Sequence, residues 1–118
     1  MDKLRTKRVY EEPTPADGHR VLVDRLWPRG VRKADADLDA WAKELAPSDE
    51  LRTWFDHDPE RWDEFRRRYA EELGGKGGPI EEHVLDREGT VTLLYAARDT
   101  AHNNAVALRE YVERLIEG

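Results

Sequence analysis

The sequence predicts an α/β fold, in which a small single domain holds a roughly three- to four-stranded, mostly parallel sheet flanked by helices. Three observations lead there. Two short apolar runs, residues 20–26 and 90–97, carry β-branched residues and stop abruptly at turns. Between and after them, apolar residues recur at steps of three and four, the spacing of a helical face. A chain of 118 residues has room for one core rather than two, so residues 1–118 read as one domain.

The elements follow in order. Residues 6–10 form a short run with β-branched and aromatic members, broken afterwards by Pro13, Pro15 and Gly18. In residues 20–26, Val21 and Val23 face one side of a strand and Leu22 the other. Trp27-Pro28-Arg29-Gly30 ends that strand, since proline cannot donate to a ladder and glycine permits a turn. Leu38, Trp41 and Leu45 have helical spacing, with Asp35 or Asp37 as a cap and Pro47 as the stop. Ser48 is an N-cap for a helix that buries Leu51, Trp54 and Phe55 and places Asp49 and Glu50 in its first turn. Asp58-Pro59 repeats the start signal, and Trp62, Phe65, Tyr69 and Leu73 follow until Gly74-Gly75. Residues 74–79 read as a flexible loop, and Ile80, Val84 and Leu85 as a short helix before Gly89. Residues 90–97 are apolar on both faces, as a central strand requires. Thr100 then caps a last helix whose inner face is Ala105, Leu108, Val112, Leu115 and Ile116.

Composition narrows the function classes. Charged residues make up 39% of the chain and hydrophobic ones 38%, yet the regular apolar spacing argues against disorder. A net charge of −6 argues against a general nucleic-acid coat, so a nucleic-acid partner is not expected beyond a local patch. The absence of cysteine removes disulfides, thiol nucleophiles and thiolate metal sites. No apolar stretch approaches the roughly 20 residues that span a bilayer, and residues 1–5 lack the apolar core of a secretory signal. A cytoplasmic location, no membrane, no metal and no cofactor are the resulting expectations.

Both strand ends carry the same signature, an acid–arginine pair followed by a turn. The first supplies Asp24, Arg25 and Arg29. The second supplies Tyr95, Arg98 and Asp99, then His102, Asn103 and Asn104 in the first turn of a helix. Ligands of open α/β sheets favour the crevice beyond the carboxyl ends of the strands, so parallel neighbours would bring both groups together. A helix start with unpaired N–H groups suits an anion there. In that arrangement Arg25, Arg29 and Arg98 clamp a phosphate or carboxylate. Asn103 and Asn104 orient it, with Tyr95 and Asp99 beside them. His102 or Asp24 carries a proton.

Each residue also has a plainer reading. Asp24 and Arg25 can pair with one another at a strand end, Arg29 and Arg98 can brace loop carbonyls, and Tyr95 can simply pack. His102, Asn103 and Asn104 can be a solvated helix start. His57 between Asp56 and Asp58 resembles a metal cluster, but neighbours on one turn rarely converge on one ion. Arg66-Arg67-Arg68 reads as a solvated helix face, Trp41, Trp54 and Trp62 as core, and the glycines of residues 74–78 follow a helix, the wrong context for a nucleotide loop.

Three segments resemble the YeaO-like family, a branch of a domain-of-unknown-function group. They are His19-Arg-Val-Leu-Val-Asp-Arg-Leu-Trp-Pro-Arg-Gly30, then Leu45-Ala-Pro-Ser48 with Glu50-Leu51, then Thr92-Leu-Leu-Tyr-Ala-Ala-Arg98 with His102-Asn-Asn-Ala105. The resemblance covers nearly the whole chain and implies a compact α/β protein. Related branches carry a cysteine near the end of the last strand and a Cys-His-Arg segment at the following helix. Tyr95 and His102-Asn103-Asn104 stand in roughly those places here, so thiol chemistry does not carry over. The leading expectation is a domain that binds, or acts on, an anionic small molecule. The alternatives are a non-catalytic interaction or regulatory module and a nucleic-acid-associated protein using Arg66 to Arg68.

Overall fold

A computed structural model describes residues 1–118. Four strands, β1 (Lys3–Arg8), β2 (His19–Leu22), β3 (Ala40–Trp41) and β4 (Thr90–Tyr95), form one sheet in the order β1-β4-β2-β3. Every neighbouring pair is parallel. The helices are α1 (Lys33–Ala36), α2 (Asp49–Phe55), α3 (Trp62–Leu73), α4 (Gly77–Ile80) and α5 (Asn104–Glu117). A π-helical turn, Glu81–Leu85, continues α4. No helix is long and apolar enough to cross a membrane.

The sheet divides the protein into two unequal layers. Val21, Val23, Val91, Leu93 and Tyr95 face a large core with Phe55, Phe65, Tyr69 and Leu73 from α2 and α3, and Leu108 and Val112 from α5. Leu22 and Leu94 point the other way, where Val9, Trp27, Leu38 and Trp41 cover them. β4 is buried on both faces because it lies inside the sheet, which explains its continuous apolar run.

Local signals set the start of α2 and of the 3-10 turn, Pro59–Arg61, that leads into α3. The Ser48 hydroxyl accepts the Leu51 N–H at 3.1 Å, and the Asp58 carboxylate accepts the Glu60 N–H at 3.0 Å ahead of Pro59. Other expectations fail for identifiable reasons. Leu38, Trp41 and Leu45 do not share a helical face. Trp41 pairs with Leu22 in β3, the Ala42 N–H donates to the Leu22 carbonyl at 2.8 Å, and Leu45 turns to the opposite side of the sheet. Sheet pairing outweighs the helical spacing there. Residues 77–79 are helical rather than loop, because a proline in a first turn needs no N–H partner. The first strand begins earlier and is more polar than expected, since β1 is an edge strand. β2 ends at Leu22, sooner than expected, because Asp24 is drawn out of line to bond with β4 and α5. α5 is capped by Asn103, whose side chain accepts the Val106 N–H at 2.9 Å, and not by Thr100. Leu115 and Ile116 are exposed, because the last turn of α5 outruns the core.

The amino-terminal half of the second face is built around a buried charge. Asp17 is fully buried and accepts from Lys7 Nζ at 3.1 Å and from Arg20 Nη1 at 2.5 Å. Thr14 adds its N–H and hydroxyl, each at 3.1 Å. The rest of the Arg20 guanidinium donates to the carbonyls of Asp37 and Ala36 at 2.9 and 2.8 Å. The Thr92 hydroxyl donates to the Asp17 carbonyl at 2.6 Å. The Asp17 carboxylate thus joins β1 to β2, its backbone carbonyl reaches β4, and Arg20 carries the link on to the end of α1. Gly18, next in sequence, has φ +64°, and a Cβ there would stand 2.2 Å from the Thr90 carbonyl oxygen, so no side chain fits.

Burial pushes the Asp17 carboxyl up, but its bonds from Thr14, Lys7 and Arg20 outweigh that and hold it at about 2, below the ordinary 3.8. The native state therefore binds the proton less readily than the unfolded chain. The stabilisation is complete above the ordinary value and is lost as pH falls through about 2. Asp17→Ala leaves Arg20 buried without its partner and is expected to cost about 3–5 kcal/mol at neutral pH. Urea denaturation at several pH values checks this: the deficit should shrink as pH approaches the native value, and a deficit that does not change with pH refutes the account.

Candidate functional site

β2 and β4 are parallel neighbours, with Leu22 opposite Leu94, so their carboxyl ends stop side by side. The Val23 N–H extends the pairing by one rung to the Leu94 carbonyl at 3.1 Å. Asp24 then turns toward β4. Its carboxylate accepts the Ala96 N–H at 2.9 Å and Asn104 Nδ2 at 3.0 Å, and the same Nδ2 also donates to the Val23 carbonyl at 2.9 Å. Asp24 and Asn104 thereby pin the two strand ends and the first residue of α5 together.

A cavity of about 700 Å³ opens at this end of the sheet. Asp24, Arg25, Arg29, Arg98, Asp99, Asn103 and Asn104 all line it. Tyr95 and His102 do not. Tyr95 is buried in the large core, where burial raises its hydroxyl above the ordinary phenol value. His102 precedes the helix rather than lying in its first turn. Its Nδ1 meets the Asp99 carboxylate at 2.9 Å, and its ring stands edge-on to Trp62 at 5.3 Å. Asp99 also accepts the N–H groups of Ala101 and His102 at 2.9 and 3.0 Å, so its own turn occupies it and holds its carboxyl low.

The arginines differ in what engages them. Arg25 is held loosely, with Nε 3.5 Å from Asp49 and Nη2 3.4 Å from the Pro47 carbonyl. Arg29 and Arg98 are exposed, and neither guanidinium makes a hydrogen bond or ion pair within the chain. Only the backbone carbonyl of Arg29 is used, accepting the Tyr10 hydroxyl at 2.9 Å. The lining as a whole carries four arginines against two aspartates, in a chain whose net charge is −6. By contrast, Arg66, Arg67 and Arg68 are each paired with carboxylates, chiefly on their own helix: Asp63 and Glu110, Glu64 and Glu71, and Glu64.

Several lining residues were not legible as site residues. Arg52, Phe55 and His57 reach the cavity because α2 packs against α3 over the sheet, which no local pattern announces. His57 and Asp56 have φ of +54° and +47°, two consecutive left-handed residues without glycine. Such backbone costs roughly 1–2 kcal/mol per residue and is more often tolerated near sites. No three His, Asp or Glu side chains stand close enough together to share a metal ion. Trp27 and Pro28 did have a signal, since they sit within the Leu-Trp-Pro-Arg-Gly segment.

Burial raises the Asp24 carboxyl above its ordinary value, against the lowering bonds from Asn104 and Ala96 and the lowering influence of His57. Here the sign is opposite to Asp17: the native state holds the proton more tightly than the unfolded chain. The contribution is fully present below the ordinary value and is lost as pH rises through the raised one. Asp24→Asn keeps at most one of the two accepted bonds, so it destabilises. The expected outcome is a gap between wild type and variant that narrows as pH rises above about 4, followed by denaturant unfolding across that range. A gap that widens instead would show that the bonds, not burial, govern this carboxyl.

Comparison with known proteins places this geometry in a lineage. The model of a family described as the inactive DUF488-N3 subclade matches residues 3–118. An uncharacterized protein of Mycobacterium tuberculosis is 46% identical over 108 residues, covering 92% of each chain, and one of Mycobacterium bovis matches to the same extent. The uncharacterized protein YeaO of Escherichia coli is 39% identical over 115 residues, covering 95% of this chain and 98% of its own. No solved structure matches. With its model matched from residue 3 to residue 118 and its YeaO likeness nearly end to end, the chain belongs to the YeaO-like DUF488 family, in the DUF488-N3 subclade described as inactive.

Proposed function

We propose that this protein is a binding domain for a phosphate- or carboxylate-bearing small molecule, seated in the cavity at the carboxyl ends of β2 and β4. The observation that carries the reading is the pair of unpartnered arginines, Arg29 and Arg98, on a cavity of about 700 Å³. A guanidinium bound within the fold would be a brace. These two make no bond to it, so their charge is available to an anion. Arg25 is the third member, its long contacts to Asp49 and Pro47 being easily exchanged for a better acceptor.

Binding without turnover fits the site better than catalysis. His102 stands outside the cavity and is committed to Asp99 and Trp62, and His57, the histidine that does line the cavity, makes no hydrogen bond within the chain that would orient its ring for proton transfer. Asp24 lines the cavity, but both of its oxygens already accept bonds that hold the strand ends together. The description of the family as inactive points the same way.

Thermal unfolding against a panel of phosphate- and carboxylate-bearing small molecules tests this. A ligand at about 100 times its Kd adds ~2.7 kcal/mol to the native state and raises the midpoint by several degrees. Because its side chain touches nothing that folding needs, Arg98→Ala is expected to keep its own midpoint within about 3 °C of wild type while losing most of that rise. A variant that unfolds far earlier would make Arg98 a structural brace. A rise that survives the substitution would move the site elsewhere.

A further inference from the structure

We infer that the ligand of this cavity is an amphiphilic anion: a flat aromatic ring joined by a short linker to one phosphate or carboxylate group. The inference rests on the anion-binding reading above and deepens it.

Size is the first argument. A cavity of about 700 Å³ lies well inside the roughly 300–1,000 Å³ of sites that enclose a whole small molecule. A bare phosphate or acetate would leave most of it to water. The second argument is the character of the walls. Four arginines and two aspartates carry their charge, while Trp27, Pro28, Pro47, Phe55, Ala96 and Ala97 supply apolar surface. The partly exposed indole of Trp27 is suited to an aromatic ring, and Ala96 and Ala97 leave room beside the strand ends.

Leu26 follows Arg25 on the turn after β2, lines the cavity, and is 62% exposed, the most exposed of the large hydrophobic side chains. Packing gives it no role: its neighbours Val23 and Trp27 reach the two cores, and Leu26 reaches neither. Singly exposed apolar side chains are common on protein surfaces, but this one lines the cavity beside unpartnered arginines, where the apolar part of a ligand would cover it. Tyr10, also exposed, differs, because its hydroxyl bonds to Arg29 and the Arg8 guanidinium lies 4.9 Å from its ring. Leu26 and Arg98 therefore report separately on the two parts of the ligand.

The experiment compares adenosine monophosphate and indole-3-acetate with their halves, inorganic phosphate, acetate and adenosine, by calorimetry on wild type, Leu26→Ser and Arg98→Ala. Thermal unfolding without ligand confirms that both variants fold. At least one ring-bearing anion should bind more than tenfold tighter than phosphate or acetate. Leu26→Ser should weaken that probe several-fold and leave phosphate unchanged, while Arg98→Ala should weaken both. If phosphate or acetate binds as tightly as the ring-bearing anions, the amphiphile is overturned and the anion site stands. If adenosine alone binds and ignores Arg98→Ala, or if no probe binds, the amphiphile and the anion site fall together.

Discussion

The carboxylate of Asp24 joins three stretches of chain that lie far apart in sequence: the end of β2, the Ala96 N–H just past β4, and Asn104 at the start of α5. Parallel pairing brings the two strands to the same end, but pairing alone would leave their turns free to splay. The carboxylate removes that freedom by accepting one donor on each oxygen. The residues that follow, Arg25 to Arg29 on one side and Ala97 to Asp99 with Asn103 on the other, can then frame one cavity. Withdrawing this carboxylate from water is costly, and the cost appears as its raised affinity for a proton.

The opposite halves of the strands carry the opposite kind of acid. Asp17 is buried from solvent, yet its proton affinity is lowered, because Thr14, Lys7 and Arg20 supply donors and compensating charge. Burial is common to both sites, and the number and charge of the donors decide the sign. The Asp17 cluster also leaves no arginine to spare, since Arg20 spends its remaining donors on the Ala36 and Asp37 carbonyls. The Asp17 cluster is thus satisfied within the fold, while two arginines without partners, Arg29 and Arg98, stand at the carboxyl ends of β2 and β4.

Charge distribution matters here more than net charge. The chain is acidic overall, but much of its exposed acid is spent locally, as along α3, where Glu64 alone serves Arg67 and Arg68. Such exposed pairs add little stability. Their consequence is to neutralise the most basic run in the sequence, whereas at the cavity Arg25 and Arg52 share Asp49 and Arg29 and Arg98 have no carboxylate partner. An anion would find its strongest attraction there rather than along the helix that looks most basic in the sequence.

The sequence by itself determined the class of fold, the central strand, the starts of α2 and α3, and the two acid–arginine turns. These are written in short-range patterns: apolar runs, capping residues, and proline or glycine at stops. It also determined that both turns would meet if their strands were parallel neighbours. Tertiary structure alone decided the rest. β3 exists because Trp41 found Leu22, not because two residues prefer an extended backbone. His102 stands outside the cavity because Asp99, three residues earlier, holds its ring nitrogen and Trp62 packs perpendicular to its ring. Arg52 and His57 entered it because α2 and α3 pack together. Which arginines are braces and which are free depends on the acceptors that folding brings within about 3 Å. Those distances are fixed by long-range packing that no local pattern encodes.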